Sequence, residues 1–169
     1  MAFNFTFADN QRLGLQIVGA NSTGTSEQPI GFKRIVVDND NNVAGEVMYL
    51  GRGNNSSWQI GRCGGFYIDG KGKVVPTQAA GAPIFGVYIK NDNSDYIQTG
   101  GVAYVQVDAP LTKGAKVYYV PSGSKVSSSS SGNIEIKGAI AGDPANKISR
   151  VIGGTPTDLY PICLNNPHL

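Results

Sequence analysis

From Gly101 to Leu164 the chain alternates apolar and polar residues in short runs, each closed by glycine, proline or small polar residues. A period of two puts successive side chains on opposite faces of an extended strand, whereas a helix needs apolar residues to recur every three or four positions. Helical spacing is nowhere sustained beyond about two turns, apart from a possible turn near Pro76 to Ala82. Composition points the same way. Only 15% of residues are charged, against 40% hydrophobic, with 23 Gly and 9 Pro among 169 residues. Helices carry their solubility on Lys, Glu and Arg faces, which this chain cannot supply in quantity.

Strands are expected at Phe32 to Val37, Val47 to Leu50, Ile84 to Ile89, Tyr96 to Gln98, Val102 to Val107, Lys116 to Val120, Ile134 to Ile140, Lys147 to Ile152 and Tyr160 to Leu164. Phe66 to Ile68 and Lys73 to Val75 flank Asp69-Gly70-Lys71-Gly72, which reads as a hairpin because Asp-Gly supplies positive φ angles. Even spacing of short strands predicts an all-β fold, an antiparallel β-sandwich or barrel, jelly-roll-like. Upstream, Phe3, Phe5 and Phe7 alternate with polar residues and share one face of an extended segment. A polar stretch from Asn21 to Gln28 follows. The chain therefore divides into an extended N-terminal arm and linker, 1–29, and a β-domain, 30–169.

The residues that carry chemistry are scarce. The sole histidine, His168, is the penultimate residue, a poor base for a Ser-His-Asp or Cys-His arrangement. Asp69, Asp92, Asp95, Asp108 and Glu135 could in principle supply a glycosidase pair, but nearly all fall in expected turns, where Asp serves the backbone. Gly65 to Lys71 superficially resembles a phosphate loop, yet Gly72 stands where a magnesium-binding hydroxyl is needed and no helix follows. Asp38, Asp40 and Asn42 match the first positions of a calcium loop, but Val43 replaces its glycine and Tyr49 its final glutamate. No catalytic residue, cofactor or metal is expected, and the chain reads as a structural protein rather than an enzyme.

Cys63 and Cys163 are too few for a disulfide framework, and each is expected to be a small buried hydrophobe, a single long-range disulfide being the alternative. Arg62 beside Cys63 could lower its thiol pKa, but no histidine or second cysteine lies near in sequence to complete a reactive site. The formal charge of +2 is spread out, with Lys33-Arg34 the only adjacent basic pair, so no direct nucleic-acid contact is expected. The N-terminal sequence has neither a basic nor a long apolar segment of the secretory kind, and no apolar run approaches a membrane span. Synthesis in a cytoplasm, without a membrane partner, is the corresponding expectation. Trp58 stands among loop residues, in Asn54-Asn55-Ser56-Ser57-Trp58, and is a candidate either to cap the core or to touch a partner.

The run Gly101-Val102-Ala103-Tyr104-Val105-Gln106-Val107, then Asp108-Ala109-Pro110-Leu111-Thr112, then Lys113-Gly114-Ala115-Lys116-Val117-Tyr118, and later Ile136-Lys137-Gly138-Ala139, resembles the C-terminal half of tailed-bacteriophage structural cement proteins, the head decoration proteins. The likeness covers about the last half of the chain, and Ile84 to Tyr88 and Tyr96 to Gln98 fit the same layout. It implies a homo-oligomer, with a trimer favoured, bound to the major capsid protein on the outer surface of the virion. Candidate capsid or oligomer contacts are then Phe3, Phe5, Phe7 and Trp58. An alternative role is a carbohydrate- or receptor-binding β-module of a phage fibre or tail, reading sugars through Trp58.

Overall fold

The computed structural model describes residues 5–7, 33–38, 43–52, 59–68, 70, 74–77, 86–91 and 94–165. Twelve strands follow in chain order: β1 Phe5–Phe7, β2 Lys33–Asp38, β3 Val43–Arg52, β4 Cys63–Ile68, β5 Val74–Thr77, β6 Gly86–Asn91, β7 Ser94–Val105, β8 Lys116–Val120, β9 Lys125–Ser127, β10 Ile134–Ala141, β11 Ile148–Ile152 and β12 Thr155–Asn165. They form one continuous sheet whose main path runs β1-β2-β3-β7-β12-β10-β8-β9, with β6, β4 and β5 branching from β7 and β11 from β12. Among the described residues every strand pair is antiparallel, so the chain adopts the all-β class its alternation predicts.

The organising element is β7. Tyr96 to Gln98 and Val102 to Val107, expected as two strands, are joined in one long strand that changes partner midway. One edge pairs with β3 from Ser94 to Gly101. The other edge pairs with β6 as far as Gln98, then with β12 from Gly100 onward. Gly101 makes the handover possible with φ of +82°, a left-handed conformation that side chains disfavour. Gln98 is buried at the kink, and its Nε2 donates to the carbonyls of Gly100 at 3.1 Å and Val102 at 2.9 Å. The side chain thus stitches together the two halves of the strand it belongs to.

Beyond the kink, β7, β12, β10, β8 and β9 curl into a small barrel. A parallel bridge between Val107 and Val126 closes it. Val126 N–H donates to the Gln106 carbonyl at 3.0 Å, and Asp108 N–H to the Val126 carbonyl at 3.2 Å. Closure removes the free edge that β9 would otherwise present. The interior holds Ala103, Val105, Val117, Tyr119, Val126, Ile136, Ala139, Ile162 and Leu164, each at most 4% exposed. Full burial of a Val, Ile or Leu contributes roughly 1.5–3 kcal/mol, so these positions dominate the local stability. A second cluster lies on the opposite face of β7, where Tyr104 and Tyr96 pack with Val47, Tyr49, Ile89, Ile152 and Leu159. The rings of Tyr49 and Tyr96 meet at 5.5 Å and a tilt of 54°.

Several local expectations change. The β4–β5 hairpin exists, with Ile68 opposite Val74, but five residues connect its strands and Gly70 is not left-handed. The tight turn with positive φ instead lies between β11 and β12, where Gly153 and Gly154 have φ of +58° and +81° and Ile152 faces Thr155. Two such residues fit the right-handed twist of the flanking strands. That turn also starts β12 at Thr155, five residues before the strand expected from Tyr160 to Leu164. Pro76 and Thr77 belong to β5 rather than to a helical turn, because β4 supplies a pairing edge that sequence spacing does not reveal. Finally, β9 adds a three-residue strand, Lys125–Ser127, that is not among the expected ones.

Candidate interaction site

The carboxylates considered for acid–base chemistry do not converge among the described residues. Asp95, on β7, is fully buried and accepts a hydrogen bond of 2.5 Å from the Tyr88 hydroxyl on β6. Burial first, then this hydrogen bond and the carboxylate charge, push the Tyr88 phenol well above the ordinary tyrosine range. The pair therefore fastens two neighbouring strands. Glu135 is exposed on β10, 3.1 Å from Lys116 Nζ, and Asp108 is exposed just beyond β7. Asp69, Asp92 and His168 lie outside the described residues, as do positions 39–42 of the calcium-loop pattern. Among the described residues no three His, Cys, Asp or Glu side chains gather as metal ligands, and no helix is long and apolar enough to cross a membrane.

The cysteines are free and their environments differ. Cys63 is buried in the barrel core, and burial pushes its thiol up to about 12, the reverse of activation by Arg62. Cys163, expected to be buried, is exposed. Its position on β12 is aligned with Ile140 on β10, and Ile140 with Lys116 on β8, across the outside of the barrel. Ile140 is 52% exposed. A simple alternation places Ile140 inside with Ile136, but a bulge between Glu135 and Ile140, with Gly138 at φ of +76°, reverses the parity. Ala139 and Ala141 fill the interior instead.

Of the expected contacts, Phe3 and Trp58 lie outside the described residues. Phe5 and Phe7 fall in β1, where Phe5, Thr6 and Phe7 stand opposite Asp38, Val37 and Val36 of β2. The other edge of β2 is paired along its whole length with β3. The N-terminal segment is thus a strand added to the outer edge of the sheet, at the end farthest along the path from the barrel. The receiving edge, Val36 to Asp38, carries no sequence signal of that role, since an edge strand and an inner strand share the same alternation. Searches of family models, known proteins and solved structures find no match to this chain.

Proposed function

We propose that this chain is a structural virion protein that decorates or cements a bacteriophage capsid, binding the major capsid protein lattice as a homo-oligomer and acting without a catalytic step. The observation that carries this reading is the pairing of a short N-terminal strand with the outer edge of β2, across 25 intervening residues, in a chain whose C-terminal half closes its own barrel. Strand addition gives binding through main-chain hydrogen bonds, which suits a protein fixed by geometry to a repeated surface. The segments that carry the cement-protein resemblance coincide with β7, β8 and β10 of the barrel. That leaves the arm and the loops as the contact regions.

The test is to incubate purified protein with capsids that lack it and to image the particles by electron microscopy. Density at symmetric lattice sites is expected for the full chain, with markedly lower occupancy after deletion of 1–7. Absence of any density with the full chain refutes the reading. A glycan array addresses the receptor-binding alternative, since cementing a shell requires no sugar.

A further inference from the structure

We propose that Arg62 and Lys125 form a carboxylate-binding site that takes an acidic side chain from a protein partner at the seam of the barrel. The site goes beyond the reading above, since it involves neither the arm nor the identity of the assembly.

Other cations of the barrel are neutralised within the chain. Lys113, Lys116 and Lys147 stand within 3.1 Å of Asp143, Glu135 and Asp158 respectively. Arg62 and Lys125 have no carboxylate beside them among the described residues, and Asp108, which joins the same seam through its N–H, pairs with neither. The two cations start from neighbouring positions. Cys63 N–H donates to the Ser124 carbonyl at 2.7 Å, a bond that brings the Cα atoms of Arg62 and Lys125 to within about 8 Å of each other. Cys63 and Val126 both belong to the barrel core, so alternation turns the adjacent Arg62 and Lys125 outward together. Two like charges so placed repel, and an anion between them relieves the repulsion.

The backbone that carries Arg62 is firmly held. Gly61, at φ of +85°, donates its N–H to the Tyr88 carbonyl at 2.9 Å and accepts from Gln106 N–H at 2.8 Å. Tyr88 N–H donates to the Arg62 carbonyl at 2.7 Å. A support fixed in advance lowers the cost of ordering the arginine around a ligand. Its Nε is shielded from water and makes no hydrogen bond. Nη1 and Nη2 also lack partners but reach solvent, so a ligand meets the guanidinium end-on. Those two nitrogens present parallel N–H groups that match the two oxygens of a carboxylate. A phosphate site would add main-chain donors. Here the N–H groups of Gly61, Arg62 and Cys63 are all spent on the carbonyls of Tyr88, Gln59 and Ser124.

The experiment titrates the full-length, 15N-labelled chain with a tri-glutamate peptide at constant ionic strength. NMR follows the Arg62 Nε–H signal and the Cys63 and Lys125 amides. Saturating shifts are expected at all three. Lys125→Gln, a surface change that leaves the fold intact, should weaken binding about three- to fivefold. Arg62→Lys, which keeps the charge but loses the fork, should weaken it about tenfold or more at an unchanged urea midpoint. Shifts that grow without saturating, equal binding by Arg62→Lys, or saturation by inorganic phosphate at a lower concentration than the peptide would each overturn the proposal.

Discussion

Replacing Gly86 with alanine tests whether the partner change of β7 depends on close approach of β6. A Cβ at Gly86 would lie 1.7 Å from the carbonyl oxygen of Gln98 and 2.7 Å from its carbon, whereas real Cβ atoms stay beyond 3.0 Å. The obstacle is backbone, and cannot rotate aside as a side chain can. The two strands must separate locally by about 1.3 Å, which takes a spacing of about 4.8 Å to about 6 Å and breaks the adjacent hydrogen bonds. Two or three bonds at about 1 kcal/mol each, with about 1–3 kcal/mol for displaced packing around Val87, give a destabilisation of about 3–6 kcal/mol. With a urea m-value of roughly 2 kcal/mol/M, the unfolding midpoint should fall by about 1.5–3 M. Gly70→Ala is the matched control. Nothing lies within 4 Å of its Cβ position and its φ is not left-handed, so its effect should stay within about 0.5 kcal/mol. A Gly86→Ala midpoint within about 0.3 M of the parent would refute the steric account.

Tyr88→Phe removes the hydrogen bond to buried Asp95 and should cost about 1.5–3 kcal/mol in urea unfolding. Because the folded phenol pKa is raised, its contribution is complete below the unfolded value of about 10 and is lost as pH rises above it. The variant should therefore show a shallower loss of stability than the parent above about pH 10, and an unchanged slope would contradict the assignment. With Ellman's reagent the native protein should show one fast thiol, abolished by Cys163→Ser, while Cys63 reacts only on unfolding; two fast thiols would contradict the burial of Cys63. Ile136→Ala should destabilise by about 2–5 kcal/mol, whereas Ile140→Thr should change stability by less than about 0.5 kcal/mol; equal effects would show that the β10 bulge does not reverse the faces.

Period-two alternation with glycine and proline punctuation was enough to define the all-β class and most strand positions, because both signals act within a few residues. Lys116 to Val120 is β8 without change, and Ile134 to Ile140 differs from β10 by one residue. The two alternating runs around Gly100-Gly101 likewise lie where expected, but their fusion into β7 does not show locally. It depends on β3 running past the kink on one edge while β6 hands over to β12 on the other. The burial of Ile136 and the exposure of Ile140 also needed tertiary structure, since one extra residue at a bulge reverses every later side chain without altering the pattern of residue types. Gly86 reads in sequence as one more residue of the strand expected from Ile84 to Ile89, and only the Gln98 carbonyl facing it shows that a side chain cannot fit. The arm was legible as a strand, but not its place beside β2. Pairing across 25 residues is a long-range contact, and main-chain hydrogen bonds leave no trace in the identity of the residues that make them.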